Sequence, residues 1–327
     1  MHIKVIKPGL ATTVQDAGRS GYYHLGIPPS GALDQYAFRA ANLLLGNPET
    51  AAVLECTLLG PQLQFEVACR IAICGADMQP LINGQPQAAH QVLSIAAGDT
   101  LDFRPATAGM RAYLAVSGGI DVTEVLGSRS SYTLGALGGY QGRCLQAGDA
   151  LILGAAPPTT APSGRALPES LRPSLPRKAT VRVLPGLYAH RLCKESDERF
   201  YQEEWTVASE SDRTGYRLKG GTPLQFKARE TPFGAGEDPS NIVDAGYPIG
   251  SIQVPAGKEP IILLRDAVSA GGYAMIGTVI SADLDVVAQL QPNQGLIFCA
   301  VDMQQALQAR QQYQAGLQQL RQALPLN

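Results

Sequence analysis

The sequence has little with which to hold a metal or build a local nucleophilic pair. Its four histidines (His2, His24, His90, His190) are scattered, and none of the six cysteines lies in a CxxC or has a histidine at ligand spacing. Cys56, Cys69, Cys74, Cys144, Cys193 and Cys299 sit mostly in apolar runs and read as buried, reduced thiols. Charge is also sparse: 17% of residues are charged, the net charge is −2 and there is no basic block. That excludes a nucleic-acid groove and an anionic membrane surface as partners. No apolar run reaches the ~18 residues of a membrane span, and Met1-His2-Ile3-Lys4-Val5 lacks the charged and apolar regions of a signal peptide. The expected location is cytoplasmic. With no P-loop and no GxGxxG between a strand and a helix, the sequence shows no recognisable ATP or dinucleotide site.

What the chain does have is 327 residues that are 45% hydrophobic, enough for about two domains. Special residues concentrate between Thr12 and Glu55. Ala37, Ala40, Ala41, Leu44 and Leu45 make one apolar stripe at helical spacing, with Asp34 placed to cap the start and Gly46 followed by Pro48 to end it. The approach, Gly26-Ile27-Pro28-Pro29-Ser30-Gly31, sets Ser30 and backbone N–H groups near a helix start, where an anionic or polar ligand can be held. The alternative is a capped surface helix after a loop.

Around that helix the N-terminal part reads as many short strands, from Leu63–Val67 and Arg70–Cys74 to Thr100–Phe103 and Arg111–Val116. Asn83-Gly84 is a hairpin turn between them. The texture changes between Ala155 and Lys178, a Pro-rich stretch with no apolar period that reads as a linker. Strands resume after it, including Leu224–Phe226, and Ala282–Leu290 reads as a short helix. Asp302–Leu324 reads as a polar amphipathic helix whose one side carries Met303, Leu307, Tyr313, Leu317, Leu320 and Leu324. The two halves rhyme. Gly98-Asp99 and Gly148-Asp149 each precede a strand, with a fainter echo at Asn293-Gln294, and a strand runs into Pro8-Gly9 in one half and Pro185-Gly186 in the other. The expected domains are 1–154, a linker 155–178, 179–301 and a C-terminal helix 302–327. The expected class is mainly β with a few helices.

Three polar clusters interrupt apolar segments. The first holds Gln15, Asp16, Arg19, Ser30, Asp34, Asn42 and Glu55. The second is Gly127–Ser131 with Arg129. The third joins Ser211–Arg217, including Arg213, to Gln253 and to Asp266–Tyr273. Arginine forks suit carboxylate ligands, Gly271 and Gly272 allow close backbone approach, and Gln253 offers an amide to a planar substrate. Each residue also has a structural alternative: Asp212 and Arg213 bridging each other, Gly271-Gly272 as a bulge, or Glu55 satisfying buried backbone.

These clusters resemble the biotin-dependent carboxyltransferase family, which covers the C subunit of 5-oxoprolinase (the Kip-antagonist type) and the carboxyltransferase part of urea amidolyase. The likeness is carried by PGLATTVQDAGRSGYYHLGIPPSGALDQYAFRAANLLLGNPETAAVLE, GAD at 75–77, RAYLAVSGGIDV at 111–122 and VLGSRSS at 125–131. It continues through SDRTGYRLKG, GSIQVP, GGYAMIGTVISADL and a Q-x-x-P-x-x-G turn. The resemblance implies two cyclophilin-like β-barrel domains around a central cleft. It also implies a component that works with proteins like the B and A subunits of 5-oxoprolinase in ATP-dependent opening of 5-oxo-L-proline to L-glutamate. The alternatives are a carboxyltransferase component of a urea-carboxylase-like enzyme and a non-catalytic regulator binding a kinase-inhibitor-like B subunit. No biotin-attachment Met-Lys-Met motif is present; ATP or carboxybiotin would belong to the assembled complex, and no cofactor is held by motif. The residues expected at the site are Asp34 and Glu55 for proton transfer, with Ser30, Arg129, Arg213, Gln253, Gly271, Gly272 and Tyr273 against a small amide. Tyr247-Pro248-Ile249-Gly250 leans to the urea branch, whereas Gln253-Val254-Pro255 and Asp266–Tyr273 lean to the 5-oxoprolinase branch.

Overall fold

The computed structural model describes residues 2–156 and 161–325. Among the described residues the protein is mainly β with four α-helices: α1 (Gln35–Leu45), α2 (Lys194–Gln202), α3 (Leu284–Gln289) and α4 (Met303–Ala323). It divides into two compact units, one of residues 1–20, 30–175 and 315–327, the other of residues 21–29 and 176–314.

In the first unit a seven-stranded sheet runs Ile120–Asp121, Ala150–Leu153, His2–Lys7, Gln62–Phe65, Thr100–Phe103, Pro80–Ile82, Gln85–Pro86. A five-stranded sheet runs Ala11–Gln15, Val53–Thr57, Ala108–Val116, Cys69–Asp77, Val92–Ile95. Alternating residues such as Ile3, Val5, Leu63, Phe65 and Leu101 join Leu54, Ile71, Ile73, Leu114 and Val116 in one core. The strands Cys69–Asp77 and Ala108–Val116 are apolar without alternation because α1 covers their other face. That helix buries Ala37, Phe38, Ala40, Ala41, Leu44 and Leu45, each large side chain stabilising by roughly 1.5–3 kcal/mol. Asp34 caps it as its sequence foretells, and Gly46 ends it in the left-handed conformation, with φ of 73° and its N–H on Asn42 and Leu43 carbonyls.

Part of the Pro-rich stretch, residues 157–160, lies outside the described residues. Beyond it Ala161 and Leu167 are buried, and Leu171 O accepts from Tyr36 Oη at 2.8 Å.

The second unit is a closed seven-stranded barrel: Lys178–Pro185, Met275–Val279, Ser251–Gln253, Ile261–Leu263, Gly215–Lys219, Trp205–Val207, Gly295–Ala300. Parallel pairing of Lys178–Pro185 with Gly295–Ala300 closes it. On α2, Phe200 stacks on Phe298 at 4.5 Å and accepts at its carbonyl from Trp205 Nε1 at 3.2 Å. A two-stranded ribbon, Asn241–Gly246 with Ala270–Tyr273, completes the unit. Leu224–Phe226 is not a ladder strand. Leu224 N bonds Gly257 O at 2.6 Å and Phe226 makes only a single bridge with Leu192, so turns consume its backbone groups. On α4, Met303 and Leu307 are exposed, while Leu317 and Leu320 are buried, as is Leu324 just beyond its end.

The sequence rhyme has a structural form. Asp99 N, Asp149 N and Gln294 N each donate to the carbonyl three residues back, at 3.2, 3.2 and 3.1 Å. In return Ala96 N, Gln146 N and Gln291 N donate to the Asp99, Asp149 and Gln294 side chains at 2.7, 2.7 and 2.9 Å. Gly98, Gly148 and Asn293 supply the positive φ. The same reciprocal turn launches a strand in both units.

Candidate functional site

In the first unit the polar residues gather at the start of α1. Ser30 (φ 51°) and Gly31 (φ 85°) are consecutive left-handed residues, and a Cβ on Gly31 would stand 2.7 Å from Gly18 N. The four amides that follow are taken by the protein itself. Gly31 N meets Gln15 Oε1 at 3.1 Å, Ala32 N meets Asp16 O at 2.9 Å, Leu33 N meets Glu55 Oε2 at 2.9 Å and Asp34 N meets Tyr113 Oη at 2.8 Å. Asp34 Oδ1 accepts Ala37 N at 2.8 Å. Tyr113 Oη lies 2.9 Å from Glu55 Oε2, and Arg111 Nε faces Glu55 Oε1 at 3.7 Å.

Burial first, then the Glu55 and Asp34 carboxylates, push the Tyr113 phenol well above its ordinary value. It therefore keeps its proton and donates to Glu55. Asp34 and Glu55, separated by 21 positions, thus belong to one buried network through Tyr113. Each is only 1% exposed, so their direct effect is to fix the entry to α1.

The second cluster folds onto Asp16. Its carboxylate accepts from Ser128 Oγ at 2.6 Å, Gly18 N at 2.8 Å, Arg129 N at 2.5 Å and Ser130 Oγ. Arg129 turns outward, giving Nε to Val122 O at 3.0 Å and facing Glu124 at 3.3 Å and Asp121 at 3.7 Å. It lines a cavity of about 660 Å³ with Asn47, Gly118, Gly119, Asp121 and Gly154. Gly118 and Gly154 let two chain segments cross there, since a Cβ on either would lie 2.3 Å from the other's carbonyl oxygen.

In the second unit Arg213 is committed to Asp266 through two hydrogen bonds of 2.7 and 3.1 Å, and both side chains are largely buried. Gln253 is different. It pairs with Ile261 and, past a register shift, with Met275, and its Oε1 is buried with no hydrogen-bond partner among the described residues. Two residues before Met275 comes Tyr273, whose N–H donates to Tyr247 Oη at 2.7 Å. That hydroxyl in turn lies 2.7 Å from Gly271 O and 2.6 Å from Tyr273 O. A Cβ on Gly271 would stand 2.9 Å from the Tyr247 ring, whereas at Gly272 the nearest atom, Ile242 O, is 3.3 Å away. Tyr247 O also accepts from Tyr23 Oη at 2.7 Å.

Sequence reasoning missed Tyr113, Arg111 and Tyr247 as organisers. The available signal was polar residues at alternate positions in an apolar strand, Arg111 and Tyr113, which must find partners inside. Among the described residues no group of three or more His, Cys, Asp or Glu side chains could hold a metal ion, and no helix is long and apolar enough to cross a membrane.

Comparison with known proteins places this geometry. The family model described as carboxyltransferase domain, subdomain A and B, matches residues 25–300, and the chain belongs to that family. It is 38% identical to urea amidolyase of Lachancea kluyveri over 97% of its length, although it spans only 18% of that relative. It is 35% identical to the C subunit of 5-oxoprolinase from Escherichia coli over 97% of both chains. The crystal structure of the Kluyveromyces lactis urea carboxylase superposes with a TM-score of 0.91 at 35% identity, covering all of this chain and 30% of that one.

Proposed function

We propose that this chain is a C-type subunit of a 5-oxoprolinase, acting with A-like and B-like subunits in ATP-dependent opening of 5-oxo-L-proline to L-glutamate. The observation that carries this reading is the match to a protein of that name over 97% of both chains, so that the likeness extends through both compact units. Chemically, the enclosed Gln253 Oε1 is an acceptor for the N–H of a cyclic amide, and the Gly271–Tyr273 backbone, braced by Tyr247, frames a planar ligand beside it. Asp34, Glu55 and Ser30 act as positioning residues from their buried places. Arg129 and Arg213, each already facing carboxylates of the chain, hold loops in shape.

Reconstitution tests the reading. The A-like and B-like subunits together with this chain are expected to convert 5-oxoproline to glutamate with ATP consumption, and to lose that turnover when the chain is omitted. Equal turnover without it overturns the proposal.

The 38% identity to a urea amidolyase and the TM-score of 0.91 to a urea carboxylase favour a second reading, carboxyl transfer to urea or another small amide. It requires carboxybiotin delivered on a separate carrier. Urea-dependent carboxyl transfer that avidin abolishes would select it over the first.

A further inference from the structure

Several arginines face a carboxylate of the chain: Arg129 with Asp121, Arg213 with Asp266, Arg143 with Asp149 and Arg182 with Asp283. Arg191 and Arg229 of the second unit have no such partner among the described residues. Arg191 closes a short helical turn, Ala189–Arg191, after the strand Lys178–Pro185. Lys227 N donates to Arg191 O at 2.8 Å, Leu192 bridges Phe226, and Cys193 N donates to Gln225 O at 2.9 Å. The segment ending in Arg229 therefore runs beside the turn carrying Arg191.

The Arg191 guanidinium stacks on Tyr188 at 4.3 Å, and its Nη1 is buried without a hydrogen-bond partner. Burial and the nearby positive charge of Arg229 hold its pKa below the ordinary arginine value. Arg229 gives Nε to Pro239 O at 3.3 Å and Nη2 to Asn241 O, carbonyls that carry no countercharge. Lys227 Nζ lies 2.7 Å from His190 O, adding a third cation to the same run. Among the described residues, no carboxylate is ion-paired with any of the three. Like charges brought together around an enclosed, unused Nη1 are costly unless something negative joins them, and a guanidinium fits the planar or tetrahedral oxygens of an oxyanion.

We propose that Arg191 and Arg229, with Lys227 beside them, form a binding site for a small oxyanion, a carboxylate or a phosphate. The site stands whether or not the chain acts on 5-oxoproline. Were the occupant a carboxylate, though, the site would separate acidic amides from neutral urea, which offers it no charge.

Calorimetric titration of the full chain in chloride-free buffer tests this, with acetate, 5-oxo-L-proline and inorganic phosphate as separate probes and urea as the neutral control. At least one oxyanion is expected to bind, more weakly as salt rises, and to raise the melting temperature; urea is expected to do neither at this site. Arg191→Gln and Arg229→Gln should each weaken that binding about tenfold or more and remove the anion-induced rise, with Arg191→Lys intermediate. Reading the anion-induced rise in each variant against its own melting temperature keeps the test valid where a variant is less stable. Binding of acetate and 5-oxoproline without phosphate identifies a carboxylate site; phosphate alone identifies a phosphate site. Absence of oxyanion binding up to roughly 10 mM, or equal binding by wild type and both glutamine variants, overturns the proposal.

Discussion

At the start of α1 four consecutive backbone amides, from Gly31 to Asp34, each meet an acceptor supplied by the protein, whereas at Gln253 an amide oxygen is enclosed with no donor. Both regions are rich in polar residues within apolar surroundings, and from sequence they look alike. The difference is one of completion. A network whose donors and acceptors are all matched holds a shape, and adding a ligand to it means breaking bonds already made. An unmatched buried acceptor carries a desolvation cost of about 1–3 kcal/mol that a ligand N–H can offset. The first region is therefore framework, and the second is where, on the function proposed above, a small amide would gain by binding.

The sharpest way to break this contrast is to remove Glu55. Glu55→Ala takes away the carboxylate facing Arg111 and the acceptor for Tyr113 and Leu33, all buried. The expected loss is about 3–5 kcal/mol of unfolding free energy, from leaving a buried guanidinium without its countercharge. Chemical denaturation measures it; a loss below about 1 kcal/mol would mean that the network holds nothing.

The ribbon should respond less. Tyr247→Phe strands the Tyr273 N–H and removes the hydroxyl lying between the Gly271 and Tyr273 carbonyls, for an expected cost of about 1–3 kcal/mol. Gly271→Ala, by forcing the Tyr247 ring aside, should act through the same contact, so the double variant should cost less than the sum. Strict additivity in a double-mutant cycle would show the two to be independent.

Local chemistry made some of this readable in advance. The Asp34 cap, the Gly46 stop and the Asn83-Gly84 hairpin are written in a few adjacent residues, and they formed where the residues place them. The Gly-Asp turns were visible too, since a reciprocal side-chain bond three residues apart needs no distant partner. What could not be read was which polar residue satisfies which. Tyr113 joins Asp34 to Glu55 only because the strand Ala108–Val116 lies beside Val53–Thr57. In the same way Arg213 meets Asp266 across 53 positions, and a lone sequence does not tell an arginine already paired from one in need of a partner. Leu224–Phe226 misled for a related reason: its apolar residues suit a strand, but its backbone bonds go to turns.

A third test isolates the unmatched amide. Because Gln253 Oε1 makes no hydrogen bond inside the protein, Gln253→Ala should lower stability by no more than about 0.5 kcal/mol and can raise it, since the desolvation cost of the unmatched acceptor goes with the side chain. In the reconstituted complex it should nonetheless lower kcat/KM for the amide substrate about tenfold, the loss of one hydrogen bond to an enclosed acceptor. A destabilised variant with unchanged kinetics would return Gln253 to the framework and erase the distinction between the regions.

The smallest effect comes from the turn the two units share, and it depends on a single chemical difference. In the first unit its side-chain acceptor is a carboxylate, Asp99 or Asp149; in the second it is the neutral amide of Gln294. The Ala96 N–H and the Asn83 amide hold the Asp99 carboxyl below its ordinary value, and the Arg143 fork, at 2.8 Å through both nitrogens, does the same for Asp149. A carboxyl depressed in the folded state contributes stability that is fully present above the unfolded value, about 3.9, and is lost as pH falls through the folded one. Acid should therefore weaken the first unit's turns and leave the Gln294 turn untouched. Since the Arg143–Asp149 pair is partly open to solvent, Asp149→Asn should remove less than about 1 kcal/mol of unfolding free energy at pH 6, a difference that shrinks as pH falls through the lowered value of the wild-type carboxyl. Gln294→Asp should carry acid sensitivity into the second unit. Denaturation curves for the three proteins that stay parallel from pH 6 to 2 would show that the shared turn works through its backbone alone, with the charge of its side chain irrelevant.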